Sequence, residues 1–331
     1  MVELRKDPIS SGWVIVNQNR DLNCFVKSDN NVVDESRCPF CPGKEKFTPP
    51  TIIAFDKFGK RTNDKDWNIR VIPNNKPILA IEGSLFKKAE GMFDKMAGIG
   101  AHEIIIETPQ HDRTTSSFGI DEYSQILFVL QERIRDLKND SRFEYILAFK
   151  NYGANAGETI SHAHCQIVAM PIIPKTVKEE IISGLKYFEY KERCLFCDII
   201  SQEISSGTRV ITENDSFIAF VPFASRYPFE IWILPKEHSG DFRTINDRKV
   251  LNELASINIS VFRRLRKVLD NPSYNLVLHS LPLKENFLPH YHWHVEIIPQ
   301  ILKTTGFELG TGLFVNPILP EESAKFLREA E

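Results

Sequence analysis

A pattern of cysteines and histidines occurs twice along the chain and constrains its fold more than any other feature. Each copy has a Cys-x-x-Cys pair, at 38–41 and 194–197, then a later histidine, then a segment of alternating histidines, at 162–166 and 290–294. A proline follows the last residue of each alternating segment by five positions, at 171 and 299. Each copy carries the ligand types of a tetrahedral zinc site. We infer that one unit was duplicated.

Length and composition favour a two-unit enzyme. The 331 residues exceed one typical domain, and we predict an N-terminal unit at 1–172 and a C-terminal unit at 173–331. The net charge of −3, without a long basic run, argues against nucleic acid as a partner. The start lacks an apolar signal core and no apolar stretch is long enough to span a bilayer, so we expect a cytoplasmic protein without a membrane partner.

The hydrophobic pattern predicts the same order of elements in both halves. A long amphipathic helix begins near Asp121, and a second runs from about Asp247 to Leu269. β-branched strands precede and follow each helix. This arrangement predicts an α+β fold of two tandem units, each a mostly antiparallel sheet with a crossing helix. The charged segment 172–193 is predicted to be a helical connector.

Two zinc sites are predicted, and hence two Zn²⁺ per chain. The first set is Cys38, Cys41, His102 and His162, and the second is Cys194, Cys197, His238 and His290. Two thiolates from a Cys-x-x-Cys turn and two imidazoles form a common structural zinc site. His290 is preferred to His292 because the proline register pairs it with His162. Cysteine pairs packed in apolar pockets and a redox-active pair are the alternatives.

The first alternating segment is predicted to carry a nucleophile. Side chains in a strand alternate between faces, so His164 and Gln166 share a face with His162. The preceding segment, residues 151–161, contains two glycines and hydroxyl groups, which suits close approach to a phosphate. A neutral imidazole can attack phosphorus, and the Gln166 amide can donate to a phosphoryl oxygen. A second metal-binding role for His164 is the alternative.

The second copy differs where this chemistry would occur. It has His294 at the position that the proline register assigns to Gln166, and residues 280–289 contain no glycine. We therefore predict that the first half carries the covalent chemistry. His292 and His294 are expected to serve substrate binding or to surround the metal.

These motifs together resemble the galactose-1-phosphate uridylyltransferase family of the histidine triad superfamily, over nearly the whole chain. The resemblance rests on the Arg-Lys-Asp-Pro start at 5–8, the pair at 38–41, Gly-Ala-His-Glu at 100–103, the run 151–166 and the ending 306–317. The second Cys-x-x-Cys pair is similar to that of the family's ADP-glucose phosphorylase branch. Ala163 and Cys165 depart from the usual residues around the nucleophile.

The resemblance implies a ping-pong nucleotidyltransferase of carbohydrate metabolism. His164 and Gln166 would be catalytic, with UMP moving from UDP-glucose to galactose 1-phosphate in galactose metabolism. Transfer of AMP from ADP-glucose to phosphate is the first alternative. It assigns substrate binding to Arg20, Asn74, Asn75, Asn151, Thr159, Ser161 and Glu308. It also implies a homodimer in which each subunit completes the other's site. A hydrolase that uses water as acceptor, and a non-catalytic zinc-stabilised nucleotide-binding module, are the remaining alternatives.

Overall fold

A computed structural model describes residues 2–19, 34–63 and 65–330. The strands of this part of the chain are β1 Val2–Lys6, β2 Trp13–Asn17, β3 Ile53–Phe55, β4 Arg61–Thr62, β5 Ile69–Pro73, β6 Lys88–Glu90, β7 Phe93–Lys95, β8 Ala101–Ile106, β9 Tyr145–Tyr152, β10 His164–Met170, β11 Val210–Glu213, β12 Phe217–Phe220, β13 Ile231–Pro235, β14 Tyr274–His279, β15 His294–Pro299 and β16 Phe314–Asn316. The helices are α1 Ile120–Leu137, α2 Lys175–Lys191, α3 Leu195–Ser206, α4 Arg248–Leu269, α5 Gly306–Thr311 and α6 Pro320–Glu329.

One sheet contains strands from both halves of the chain and repeats a single topology. Its eleven strands run in the order β11-β12-β13-β15-β14-β9-β10-β8-β5-β3-β4. The first half contributes β4-β3-β5-β8-β10-β9 and the second contributes β11-β12-β13-β15-β14, so apart from the edge strand β4 the two halves have the same order of strands. The halves meet where β9 pairs antiparallel with β14, with Asn275 opposite Asn151. This confirms the predicted duplicated α+β fold and adds that the two sheets are continuous.

The long helix of each half covers the same face of the sheet. Ile126 and Leu130 of α1 and Leu254 and Val261 of α4 are buried in one cluster with the strand residues beneath them. Each fully buried aliphatic side chain of this kind stabilises the fold by about 1.5–3 kcal/mol. The Asp247 carboxylate accepts from the main-chain N–H of Lys249 at the start of α4, as a helix N-cap does.

Alternation along β8 separates the helix face from the face that carries the histidines. Ile105 packs into the cluster beneath the helices, whereas Ile104 and Ile106 pack with Cys38 and Phe40 on the other side. The register places His164 opposite Ile106 and Gln166 opposite Ile104. Directly opposed residues share a face, so the side chains of His164 and Gln166 lie on the face away from the helices.

One sequence prediction requires correction here, and the predicted helical connector gains a second role. Alternation predicts strand over 162–166 and 290–294, but β10 begins at His164 and β15 at His294. The predicted connector is α2, and it also packs into the second half: Glu180 is buried and its carboxylate accepts from the Tyr291 hydroxyl at 3.0 Å.

No helix among the described residues is long and apolar enough to cross a membrane. The predicted unit boundary at 172/173 stays a prediction.

Candidate functional site

A cleft of about 550 Å³ lies on the face of the sheet opposite the long helices. His164 and Gln166 form part of its floor, and the Phe40 ring stands edge-on to the His164 imidazole with centroids 5.4 Å apart. The remaining described residues of the lining are Pro39, Phe47, Thr48, Pro49, Ile72, Asn74, Asn75, Lys76, Ile78, His102, Ile104, Phe149, Asn151, Gly157, Thr159 and Ile160. Apolar walls around a few amides are typical of small-molecule sites.

Local geometry determines which nitrogen of His164 can react. Its Nδ1 lies 2.7 Å from the main-chain oxygen of His162, which only accepts hydrogen bonds, so Nδ1 carries the proton. Nε2 therefore keeps its lone pair. Burial lowers the pKa of His164 to about 4. The side chain is neutral at pH 7 and presents a nucleophilic nitrogen on the cleft side.

The first cysteine pair gathers two histidines, one of which the sequence analysis missed. The donor atoms of Cys38, Cys41, His111 and His162 lie within 4.8 Å of one another. Sγ of Cys38 is 3.5 Å from Nδ1 of His162, and Sγ of Cys41 is 3.4 Å from Nδ1 of His111. The prediction of His102 as the fourth ligand is wrong, since His102 lies at the start of β8 and lines the cleft.

The second cysteine pair forms an equivalent cluster with Cys194, Cys197, His238 and His292. Sγ of Cys197 is 3.4 Å from Nδ1 of His238 and 3.7 Å from Nδ1 of His292. The choice of His290 over His292 is therefore wrong. His290 is buried beside α2, where its main-chain oxygen lies so close to Gly184 that a Cβ there would be 2.4 Å away.

The sulfur–nitrogen distances in both clusters match those between neighbouring ligands of a tetrahedral zinc ion. Bonds of about 2.0–2.3 Å from zinc to nitrogen and sulfur place neighbouring ligand atoms about 3.6 Å apart, and the distances above are 3.4–3.7 Å. The outer nitrogen of one histidine in each cluster is anchored. Nε2 of His162 lies 2.8 Å from the Thr108 oxygen, and Nε2 of His292 lies 2.9 Å from the Pro235 oxygen. Such anchoring orients Nδ1 toward a metal.

A signal in the sequence could have identified His111. In the second half, His238 follows the strand β13 rather than beginning it. The equivalent histidine of the first half should then follow β8, as His111 does and His102 does not. The contacts show that the proline register aligned the two segments two residues out of step. His162 and His292 are the equivalent residues, since each contacts a cysteine and a main-chain oxygen. Thus His294 corresponds to His164, and Glu296 to Gln166.

The equivalent site in the second half is closed. His294 is fully buried, its Nδ1 lies 3.1 Å from the His292 oxygen, and its Nε2 is 3.3 Å from Nδ1 of His279. Arg226 donates to the carboxylate of Glu296 at 2.7 Å. The sequence prediction that the first half carries the covalent chemistry is consistent with this difference, because His164 alone of this pair lines an open cleft.

A third group of buried side chains could hold a cation and was missed from the sequence. It consists of Glu180, His279, His294 and Glu296, with donor atoms within 4.8 Å of one another. Its carboxylate and imidazole donors are harder ligands than the thiolates of the other clusters. Burial alone would lower the pKa of His279, but the negative charge of Glu180 raises it to about 9. Glu180 comes from α2, and no local spacing connects it with β14 and β15.

The other predicted substrate-binding residues fall into two groups. Asn74, Asn75, Asn151 and Thr159 line the cleft, whereas Ser161 and Glu308 do not belong to its described lining. Glu308 is buried at the start of α5, where its carboxylate accepts from the Thr305 N–H at 2.9 Å. Arg20 lies outside the described residues.

The glycine-bearing loop beside the cleft is held by the second half of the chain. Nδ2 of Asn275 donates to Oδ1 of Asn151 at 2.8 Å and to the Ala156 oxygen at 3.0 Å. Gly153 has φ 82° and donates its N–H to the Glu158 carboxylate at 2.7 Å. The bond from Asn275 fixes the orientation of the Asn151 amide, whose NH₂ group can donate to a ligand in the cleft. The loop therefore offers donors suited to an anion.

Sequence comparison assigns both halves to one family. The N-terminal domain model of galactose-1-phosphate uridyl transferase matches residues 16–174, and the C-terminal domain model matches residues 146–330. The chain belongs to the galactose-1-phosphate uridyl transferase family. The family resemblance stated from the motifs is thereby confirmed.

Members of the family resemble the chain over its full length. An ADP-glucose phosphorylase of Arabidopsis thaliana is 36% identical over 335 residues, which cover 99% of this chain and 92% of the relative. A galactose-1-phosphate uridylyltransferase of Thermotoga maritima is 27% identical over 340 residues, covering 100% and 99%. The crystal structure of an ADP-glucose phosphorylase from Arabidopsis thaliana with bound ADP-glucose has a TM-score of 0.84 at 32% identity, covering 99% of each chain.

Proposed function

We propose that the chain is a nucleotidyltransferase that takes the nucleotide from a nucleotide sugar and carries it covalently on His164. The observation behind this proposal is the neutral, buried imidazole, whose Nδ1–H is held by a main-chain oxygen while Nε2 is left to a cleft lined by amides. A protein that only binds nucleotides would not need an imidazole held in this tautomer and orientation. The same geometry argues against the non-catalytic binding module.

In the first step, the Nε2 lone pair attacks the α-phosphorus of the nucleotide sugar. A nitrogen–phosphorus bond forms, and the bond from the α-phosphorus to the bridging oxygen breaks. The sugar 1-phosphate leaves with that electron pair and needs no proton, because phosphate is a good anionic leaving group. The Nδ1–H bond to the His162 oxygen stabilises the positive charge that develops on the ring. Gln166 is placed to donate to a phosphoryl oxygen.

In the second step, an oxygen of the acceptor phosphate attacks the same phosphorus and the nitrogen–phosphorus bond breaks. His164 returns to its neutral form. With inorganic phosphate as acceptor the product is a nucleoside diphosphate, and with a sugar 1-phosphate it is a new nucleotide sugar. Splitting one transfer into two makes each barrier lower than that of a direct exchange.

Zinc is the metal that we propose for the two Cys₂His₂ clusters. Cys38, Cys41, His111 and His162 would hold one ion, and Cys194, Cys197, His238 and His292 the other. A bound ion would supply a structural cross-link and no reacting group. Burial lowers the pKa of His162 to about 4, so the imidazole is neutral, as a metal ligand must be. Through its carbonyl oxygen, His162 holds the nucleophile in place.

ADP-glucose is the donor that we propose, with phosphate as the acceptor. The Arabidopsis ADP-glucose phosphorylase is 36% identical to this chain, against 27% for the Thermotoga uridylyltransferase. Uridylyl transfer from UDP-glucose to galactose 1-phosphate is the second candidate, supported by the family itself and by that relative. The two differ in base and acceptor, not in the chemistry at His164.

We also propose that the enzyme is a homodimer in which Glu308 serves the partner's cleft. Glu308 is outside the described lining of its own cleft, so a role in hexose recognition calls for a second subunit. Gly306 to Thr311 form the short helix that carries it. In an isologous dimer, two-fold symmetry makes such a contribution reciprocal, so each subunit would complete the other's cleft.

Isotope exchange tests the proposed function. A ping-pong enzyme exchanges labelled glucose 1-phosphate into its nucleotide sugar without the second acceptor. We expect exchange with ADP-glucose in the native protein and none in His164→Ala. Exchange with UDP-glucose alone would move the assignment to uridylyl transfer, and exchange with neither would contradict the covalent mechanism.

A further inference from the structure

His102 is buried at the edge of the cleft and belongs to neither cysteine cluster. The main-chain N–H of Ile78 donates to its Nδ1 at 3.3 Å. A nitrogen that accepts cannot carry the proton, so the neutral ring is protonated at Nε2. Burial lowers the pKa of His102, which favours this neutral form.

The proton on Nε2 has one strong acceptor within reach. Nε2 of His102 lies 2.8 Å from Oε1 of Gln166, so the imidazole donates to the amide oxygen. Nδ2 of Asn74 donates to the same oxygen at 3.4 Å, so two donors converge on Oε1. The 3.1 Å between Nδ2 of Asn74 and Nε2 of His102 is then a contact between two donors that share one acceptor, and no hydrogen bond joins them. The orientation of Asn74 is itself fixed, since its Oδ1 accepts from the main-chain N–H of Lys76 at 2.8 Å.

These contacts decide which way the Gln166 amide points. A rotation by 180° would bring its NH₂ group against two donors, Nε2–H of His102 and Nδ2–H of Asn74. In the observed orientation the NH₂ group of Gln166 can donate to a ligand in the cleft, which Gln166 lines. An amide in this orientation donates to a phosphoryl oxygen, whereas the flipped amide would present its own oxygen to that anion.

We propose that His102 is a positioning residue that holds the Gln166 amide with its donor group toward the transferred phosphoryl group. The proposal rests on the nucleotidyl transfer proposed above and adds a residue that acts through Gln166. His102 replaces free rotation of the Gln166 amide with one orientation before the substrate arrives. Such preorganisation lowers the barrier because no reorientation is needed as charge develops.

Three variants test this role of His102. The main readout is the rate at which His164 is nucleotidylated by ADP-glucose, or by UDP-glucose if that is the donor. His102→Leu removes the donor and should slow the maximal rate by roughly 10- to 100-fold, less than the roughly 10²- to 10³-fold for loss of an oxyanion donor itself. His102→Gln places an amide N–H near the position of Nε2 and should retain the rate within about threefold of native. Zinc content should be native in both, since His102 is not in a cysteine cluster.

The third variant, which combines His102→Leu with Gln166→Ala, is the decisive test. In a Gln166→Ala background, His102→Leu should cause almost no further loss, because its partner is already gone. Multiplicative losses in the double variant would show that His102 acts independently of Gln166 and overturn the proposal. A native rate in His102→Leu would also overturn it. Absence of any adduct in the native protein would overturn the proposed function, and this inference with it.

Discussion

His164 donates its Nδ1–H to the main-chain oxygen of His162 at 2.7 Å, so the proposed nucleophile is oriented by a candidate metal ligand two residues away. The side chain of His162 is held by Cys38 on one nitrogen and by the Thr108 oxygen on the other. A strand that begins at His164 therefore starts from a backbone fixed by the cluster. This relationship connects the metal site with the reaction.

The two cysteine clusters should differ in their effect on the reaction. We expect His111→Ala and His238→Ala each to lower bound zinc by about one ion per chain, because each removes one of four ligands. The His111→Ala variant should also slow nucleotidylation of His164, since its cluster contains His162. The His238→Ala variant should leave the rate near native.

Metal analysis by mass spectrometry and single-turnover rates measure both effects. His102→Leu is the control for zinc content, because His102 is a histidine of the same half that belongs to neither cysteine cluster. Full zinc content in His111→Ala, or loss of zinc in His102→Leu, would contradict the assignment of ligands.

Gly153 is expected to be essential for the loop beside the cleft. Its φ of 82° disfavours any side chain, and a Cβ would lie 2.2 Å from Oγ of Ser273. Gly153→Ala should lower the free energy of unfolding by more than about 3 kcal/mol, since backbone strain adds to a collision. Gly91 also has a positive φ, 64°, but a Cβ added there would have no atom within 4 Å. Gly91→Ala should therefore cost only the backbone strain, about 1–2 kcal/mol. Urea denaturation compares the two, and equal losses would argue against the close contact.

Much of this fold was predictable because the informative signals were local. The helical period placed α1 and α4, and the alternation around His164 placed that side chain and Gln166 on one face. The repeated order of a cysteine pair, a later histidine and a segment of alternating histidines indicated duplication. Each of these signals extends over a few turns or one strand.

The errors arose where contacts join distant segments. His102 satisfied the spacing of a ligand, but its position in β8 turns it toward Gln166 rather than the cysteines. His292 was passed over because a proline register was followed instead of the contacts of each imidazole. The third cluster depends on Glu180 of α2 meeting β14 and β15, and pairing of β9 with β14 could not be read from either half alone.

A buried ion pair connects the two strands, β9 and β8, that flank the nucleophile strand β10. Lys150 of β9 pairs with Glu107, and both side chains are at most 3% exposed. Glu107 also donates its main-chain N–H to the Ala163 oxygen at 3.0 Å. Lys150→Met leaves the Glu107 charge buried and unpaired, so we expect a loss of about 3–5 kcal/mol in unfolding free energy.

The control is Lys175→Met, which removes an exposed lysine paired with the exposed Glu179 across one helical turn. Surface pairs of this kind contribute about 0.3–0.5 kcal/mol. Denaturant unfolding at neutral pH measures both variants. A Lys150→Met protein as stable as native would show that the buried carboxylate has another partner.

Subunit mixing tests the proposed role of Glu308. His164→Ala and Glu308→Gln should each be nearly inactive as pure proteins, and Gln keeps the helix cap of α5 because it still offers an oxygen. If each site combines His164 of one subunit with Glu308 of the other, a mixed dimer contains one intact site. An equal mixture should then recover roughly a quarter of native activity after exchange of subunits. No recovery, with exchange verified by mass, would place both residues in one subunit's site.

The most direct test of the account is the intact mass of the protein incubated with a nucleotide sugar and no acceptor. We expect an AMP-sized increase with ADP-glucose, mapped to His164 by peptide analysis, absent in His164→Ala, and removed on addition of phosphate. A UMP-sized increase with UDP-glucose would keep the mechanism and change the nucleotide. An unmodified mass with both donors, under conditions of measurable turnover, would contradict the covalent role of His164.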